Sequence, residues 1–157
     1  MVDAMAQPIA LPRFDNCMVC GDPEVNPKSL DLQCYLHDGV VTATFTPSEH
    51  QAGFPGTIHG GVLTSLLDEV SVWAASWAAD AFCVTRDLRT KYLKPARPDE
   101  PLSLEAEVAN HDRLITVEAR ALDADRETVS HSTGRFYPAF HEEWERIVKH
   151  ESALKTP

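Results

Sequence analysis

Apolar and polar residues alternate with two periods along this chain, and the switches between them outline its elements. From Leu30 the period is two: Leu30, Leu32, Cys34 and Leu36 share one face, with Asp31, Gln33, Tyr35 and His37 on the other, as in a half-buried strand. Asp38-Gly39 reads as a hairpin turn. Residues 40–46 predict the returning strand, with Val41, Ala43 and Phe45 facing one way and Pro47 ending it. Over residues 60–79 the period lengthens. Leu63, Leu66, Leu67, Val70, Ala74 and Trp77 recur at helical spacing, and the remaining positions are small or apolar apart from Asp68 and Glu69. A helix apolar nearly all round is buried on more than one side. Period two then returns over residues 83–93, 102–110, 114–122 and 128–137.

The flanks differ from this middle. Residues 1–29, broken by Pro8, Pro12, Pro23 and Pro27, predict irregular structure. Within 139–157, Phe140, Trp144, Ile147 and Val148 predict an amphipathic C-terminal helix. Two strands, one buried helix and four more strands predict an α+β domain spanning 1–157. One long helix lies on the concave face of a curved antiparallel sheet. The apolar surface left over on that helix predicts a second subunit, arranged with two-fold symmetry.

Composition narrows the partners. Against 24 acids the 157 residues carry only 14 Lys and Arg, a net charge of −10, which disfavours nucleic acid and anionic membrane surfaces. No apolar run approaches the ~18 to 20 residues of a membrane span. The first residues, Met1-Val2-Asp3, place an acid where a secretory leader carries bases. A cytoplasmic protein with four reduced cysteines is therefore expected. One segment reverses the sign: Arg86, Arg89, Lys91, Lys94 and Arg97 face only Asp87, a local charge of +4. Such a run either guards a strand edge or receives an anionic ligand.

Candidate chemistry is concentrated where the long helix begins. Gly60 and Gly61 follow His59 at the helix start, where backbone N–H groups lack intrahelical partners and can receive an oxyanion. The same glycines would also permit a tight loop-to-helix turn. Asp68 and Glu69 are the only acids within the helix, and periodicity does not choose between them as the reacting carboxylate. His59, at the cap, is read as orienting the loop. Gly-x-Ser-x-Gly is absent. Cys17-x2-Cys20 and Cys34-x2-His37 have zinc-like spacing, yet residues three apart in a strand point to opposite faces, so no metal or cofactor is expected.

Thr57-Ile58-His59-Gly60-Gly61-Val62-Leu63 through Leu67-Asp68-Glu69 resembles the signature of hotdog-fold acyl-CoA thioesterases, in the phenylacetic acid degradation (PaaI-type) branch of the 4-hydroxybenzoyl-CoA thioesterase superfamily. The likeness includes Cys17-Met18-Val19-Cys20-Gly21, Asn26-Pro27 and Ser29-Leu30. It resumes at Thr85-Arg86-Asp87-Leu88 and Thr90-Lys91-Tyr92-Leu93-Lys94-Pro95, covering roughly residues 16–137. The resemblance implies a hotdog fold and a homodimer, often paired into a homotetramer, that hydrolyses acyl-CoA at the subunit interface. It implies Asp68, nine residues after the histidine, as base or nucleophile reaching in from the partner chain. Gly60 or Gly61 would supply the N–H that polarises the carbonyl, and Thr85 would help hold the water. Relatives carry an Asn where this chain has Gly53, whose task Gln51 or His50 could take. The basic segment lies where the family places CoA phosphate contacts, with Arg89 and Lys94 as candidates. Two alternatives share the fold. One is a noncatalytic acyl-CoA-binding protein; the other is a dehydratase or hydratase, since His50 near Phe54-Pro55-Gly56 is similar to the acyl-carrier-protein dehydratases.

Overall fold

In a computed structural model, residues 7–149 of the chain are described. A seven-stranded antiparallel sheet curves around one 20-residue helix. The strands are β1 (Ile9–Ala10), β2 (Tyr35–His37), β3 (Val40–Phe45), β4 (Phe82–Tyr92), β5 (Leu102–His111), β6 (Ile115–Leu122) and β7 (Thr128–Phe140). Their order across the sheet is β1-β2-β3-β5-β6-β7-β4. The helix α1 (Gly60–Ala79) lies between β3 and β4 in sequence and packs on β3 to β7 in space. No helix among the described residues is long and apolar enough to cross a membrane.

The core follows the period-two and helical patterns closely. Leu66, Leu67, Val70 and Ala75 of α1 are fully buried against Val41, Leu104, Ile115, Val117, Ala121 and Phe136 of the sheet. Asp38 and Gly39 both take positive φ, 49° and 80°, the backbone of a two-residue hairpin turn. Asp80 ends α1 in the left-handed conformation, a position that asparagine and aspartate tolerate better than most residues.

Three elements differ from the sequence expectation. The strand expected from Leu30 forms ladder bonds only at Tyr35–His37, although Leu32, Cys34 and Leu36 are all buried. Asp31 has φ 58° and interrupts the extended run. The segment read as irregular contributes β1, which pairs with β2 through Ile9–Leu36 and Ala10–Tyr35. At the other end β7 continues through Phe140, so the predicted C-terminal helix starts later. It comprises α2 (His141–Trp144) and a π-helical turn at Glu145–Lys149; its expected continuation beyond residue 149 lies outside the described residues. Trp144 and Val148 are buried, with the Trp144 ring 5.2 Å from Phe82 and 5.8 Å from Trp77.

Two features of β4 matter for the site. β4 forms the outer edge of the sheet, with β7 as its neighbour, so one side of an 11-residue strand is left without a ladder. Its register against β7 also slips between Thr85 and Asp87, a bulge at Arg86 that exchanges the two faces of the strand. Cys83 and Thr85 face inward before the bulge; Leu88, Thr90 and Tyr92 face inward after it. Gly134, opposite Leu88, makes this possible: a Cβ there would stand 2.7 Å from Leu88 Cδ1 and from the Phe136 ring.

Candidate active site at the start and middle of the long helix

The helix entrance is built from a loop that folds on itself. Ser48 and Gln51 cap each other around a short 3-10 turn (Glu49–Gln51), where Gln51 Oε1 accepts from Ser48 N at 2.6 Å and Ser48 Oγ at 2.8 Å. Gln51 O accepts from His59 N at 2.9 Å, and Ile58 N donates to Ala96 O at 2.9 Å. His59 is thereby fixed as the N-cap. Its Nδ1 accepts from Gly61 N at 2.9 Å, a role usually filled by Ser, Thr, Asp or Asn. Gly53 leaves room for this: a Cβ at that position would approach the His59 Cα and ring to 3.3 Å. His50 projects from the 3-10 turn and is exposed.

This cap separates the two glycines. The Gly61 N–H is engaged by His59, whereas the Gly60 N–H has no backbone or side-chain acceptor among the described residues. Gly60 O accepts from Tyr92 Oη at 3.0 Å, and Tyr92 Oη also lies 2.5 Å from Thr64 Oγ1. Tyr92 therefore anchors the first turn of α1 to β4. A cavity of about 490 Å³ opens beside Gly60, lined among others by Phe54, His59, Leu63, Tyr92 and Pro95. The position of Tyr92 depends on the Arg86 bulge, which an uninterrupted period-two reading of β4 does not contain.

Asp68 sits two turns further along α1, half-buried, with Oδ1 accepting from Thr85 Oγ1 at 2.8 Å. Burial raises the Asp68 pKa above the usual carboxylate value, and the Thr85 bond opposes that only in part. A carboxylate poised in this way is a better base than one fully solvated. The structure thus brings Asp68 to Thr85 and His59 to Gly60 and Gly61. It does not bring the two groups together within one chain: eight residues of helix separate Gly60 from Asp68 by about 12 Å.

The remaining candidates lie apart. Gln51 Oε1 is occupied by the Ser48 cap, so Gln51 does not present that atom to a ligand. Lys94 is paired with both Asp123 and Glu127, which push its pKa up to about 12. Arg89 is exposed on the outer face of β4, opposite Leu88 and Thr90. Asp87 bonds Arg135 and is held below its ordinary pKa by it.

Glu69, the other acid of the helix, faces a different wall. Its Oε1 accepts from Trp73 Nε1 at 3.2 Å, and its Oε2 lies 3.9 Å from Cys17 Sγ. Burial raises its pKa; bonds from Cys20 and Trp73 oppose the rise. Phe14, Trp73 and Phe82 form an aromatic cluster beside it, with Trp73 stacked on Phe14 at 6.2 Å. Phe54, by contrast, is 80% exposed. Nothing in the sequence pattern placed Glu69 against the cysteines, because the contact joins residues 52 apart.

The fold and part of the chain have counterparts among known proteins. Residues 55–130, which include the helix entrance, Asp68 and Thr85, match the family model described as the thioesterase superfamily. No curated protein sequence matches the chain. Among solved structures, a thioesterase superfamily protein superposes with a TM-score of 0.72 at 29% identity, covering 80% of this chain; the chain spans 61% of that protein's length. The Escherichia coli PaaI protein from the phenylacetic acid degradation operon gives 0.66 at 18% identity, covering 75% of this chain and 85% of its own. A hypothetical thioesterase from Streptococcus pneumoniae TIGR4, solved with coenzyme A, gives 0.61 at 22% identity, covering 66% and 83%. The helix and the sheet wrapped around it make a hotdog-like fold, and residues 55–130 carry the similarity to the thioesterase superfamily.

Proposed function

We propose that the protein is an acyl-CoA thioesterase of the PaaI type, acting as a homodimer whose sites lie between subunits. The observation that carries this reading is the Asp68–Thr85 pair at 2.8 Å, with the Asp68 pKa raised by burial. A free N–H at Gly60 completes the chemistry. Thioester hydrolysis needs a donor aimed at the carbonyl oxygen and a base for the attacking water. Asp68 takes the proton of the attacking water, or adds to the carbonyl carbon to give an anhydride that water then opens. On either route the C–S bond breaks and CoA leaves as the thiol with a proton from that water, while Thr85 holds Oδ1 and leaves Oδ2 for the reaction. Gly60, at the positive end of α1, receives the developing oxyanion.

The separation of about 12 Å between Gly60 and Asp68 favours two chains over one. Two α1 helices laid antiparallel, with the two-fold axis near Thr64, bring Gly60 of one chain opposite Asp68 of the other. The open edge of β4, with Val84 and Tyr92 exposed along it, is a matching surface for such pairing. The acyl-CoA thioester enters beside Gly60, and Arg89 is the candidate contact for CoA phosphates. Arg89→Gln is expected to raise KM more than it lowers kcat; equal kinetics would remove Arg89 from the site.

A panel of acyl-CoA substrates with short, medium, long and aromatic acyl groups, assayed for released thiol, tests the reading. At least one is expected to be hydrolysed by the wild-type protein and not by Asp68→Asn. Binding without thiol release across the whole panel would leave a noncatalytic acyl-CoA-binding protein instead.

A further inference from the structure

Hydrolysis at Asp68 makes no use of the Cys17–Gly21 turn, although that turn is among the most tightly built parts of the molecule. Cys17 Sγ accepts from two peptide N–H groups, Val19 and Cys20, each at 3.3 Å. Gly21 N donates back to Cys17 O at 3.0 Å, and a Cβ at position 21 would stand 2.2 Å from that oxygen. Arg13 then clamps the far side, its Nε on Cys20 O at 2.7 Å and an Nη on Gly21 O at 2.8 Å. Ser29 Oγ also donates to Gly21 O at 2.8 Å, and Asn26 Nδ2 reaches Cys17 O at 3.4 Å. The result is a Cys-x2-Cys loop whose first sulfur is aimed at by peptide dipoles, an arrangement that stabilises charge on sulfur.

A third group completes the cluster from the helix. Cys17 Sγ, Cys20 Sγ and a Glu69 carboxylate oxygen all lie within 4.8 Å of one another, with Cys17 Sγ to Glu69 Oε2 at 3.9 Å. Zinc bonds of 2.3 Å to sulfur and about 2.0 Å to oxygen set the sulfur–oxygen edge of a tetrahedron at about 3.5 Å, so the measured edge is a few tenths of an ångström too long. Trp73 Nε1 holds Glu69 Oε1 at 3.2 Å and leaves Oε2 turned toward the thiols, the kind of donor that orients a ligating carboxylate. Cys17 and Glu69 line a cavity of about 640 Å³, while Cys20 is only 1% exposed behind them. An ion therefore has an entry path and room for a water ligand on the cavity side. The spacing that excluded Cys34 with His37 still holds, since Cys34 is buried and His37 turns outward toward Asp38; the missing partner comes from α1.

We propose that Cys17, Cys20 and Glu69 form a site for a thiophilic divalent cation, zinc in particular, with water as the fourth ligand. Each thiol gives up its proton to solvent on binding. The ion would tie the N-terminal segment to the middle of α1, independently of thioester hydrolysis.

Cobalt titration of the full-length, reduced and metal-free protein tests this without any variant. One cobalt ion per chain is expected, with a sulfur-to-cobalt charge-transfer band in the near ultraviolet that one equivalent of zinc abolishes. Cys20→Ser is expected to lose the band, and Trp73→Phe, which keeps a ring but removes the N–H, to weaken zinc binding about 10- to 100-fold. Circular dichroism checks that each variant is folded. Absence of a thiolate–cobalt band in the folded wild-type protein would overturn the proposal, as would full retention of the band in folded Cys20→Ser. Either result leaves the acyl-CoA reading untouched, because thiol release is measured on a different set of residues.

Discussion

Asp68 and Glu69 are neighbours in sequence, both half-buried and both with pKa values raised by burial, yet they belong to two regions with different chemistry. Asp68 looks toward the open edge strand β4, where one hydroxyl, that of Thr85, is its bonded partner. Glu69 looks toward the N-terminal segment, between the thiols of Cys17 and Cys20 there and the indole N–H of Trp73, one turn further along α1. A turn of about 100° between successive helix positions is enough to send one carboxylate toward the edge strand and the other toward the N-terminal cysteines. What distinguishes them is the number and kind of donors that each wall supplies, and burial alone does not separate them.

Exchanging each carboxylate for its amide breaks the comparison most sharply. Asp68→Asn is expected to lower kcat for acyl-CoA hydrolysis by about 10²- to 10⁴-fold, the usual worth of a positioned base. Glu69→Gln is expected to leave turnover at the wild-type level. Comparable losses in both variants would mean that the two regions act as one.

Thr85→Val gives a smaller effect of a distinctive kind. The Thr85 bond lowers the Asp68 pKa against the larger opposing effect of burial, so its loss raises that pKa further. The acidic limb of the kcat/KM profile is expected to move to higher pH, with a loss of about tenfold below it, as for one hydrogen bond to a charged group. Thr85→Ser should restore the wild-type limb. A uniform loss at every pH would instead point to a packing defect.

The smallest effect is on stability. A carboxyl whose folded pKa is raised favours the folded state while protonated, and that contribution is lost as pH rises through the folded pKa. At neutral pH an ionised Asp68 therefore costs stability. Asp68→Asn, which keeps an acceptor for Thr85, is expected to melt no lower than wild type at pH 7, and its advantage should vanish in acid. A lower Tm at pH 7 would show that the Asp68 charge is compensated by a group not described in the single chain.

Much of the fold was legible in the sequence because it rests on periodicity. The bounds of α1 and the inward set Leu66, Leu67 and Val70 follow from spacing alone. The Arg86 bulge was not legible: one inserted residue exchanges the faces of β4, and no local signal at Arg86 announces it. The basic run, read as a strand-edge guard or an anion site, divides in the structure: Arg89 points outward from β4, and Lys94, beyond the strand, is engaged by Asp123 and Glu127. Glu69 escaped for another reason. The two cysteines lie some fifty residues away from it, and the zinc-like spacing of Cys34 and His37, which strand geometry excludes, gave no pointer to the helix. Which of the Gly60 and Gly61 N–H groups is engaged needed coordinates too, because it turns on a single bond from Gly61 N to His59 Nδ1.

The central claim is that one reaction site takes Gly60 from one chain and Asp68 from another. Gly60→Pro removes the N–H at the first helical position, where proline is tolerated, after a residue whose ψ of 132° suits it; the Tyr92 ring end, 3.1 Å from the added Cβ, must shift slightly. Each of Gly60→Pro and Asp68→Asn is expected to be nearly inactive alone. After subunit exchange in an equimolar mixture, half the dimers are mixed and each mixed dimer carries one intact site. Hydrolysis should then recover to about a quarter of the wild-type rate. A mixture that exchanges subunits and remains as inactive as its parents would contradict the claim.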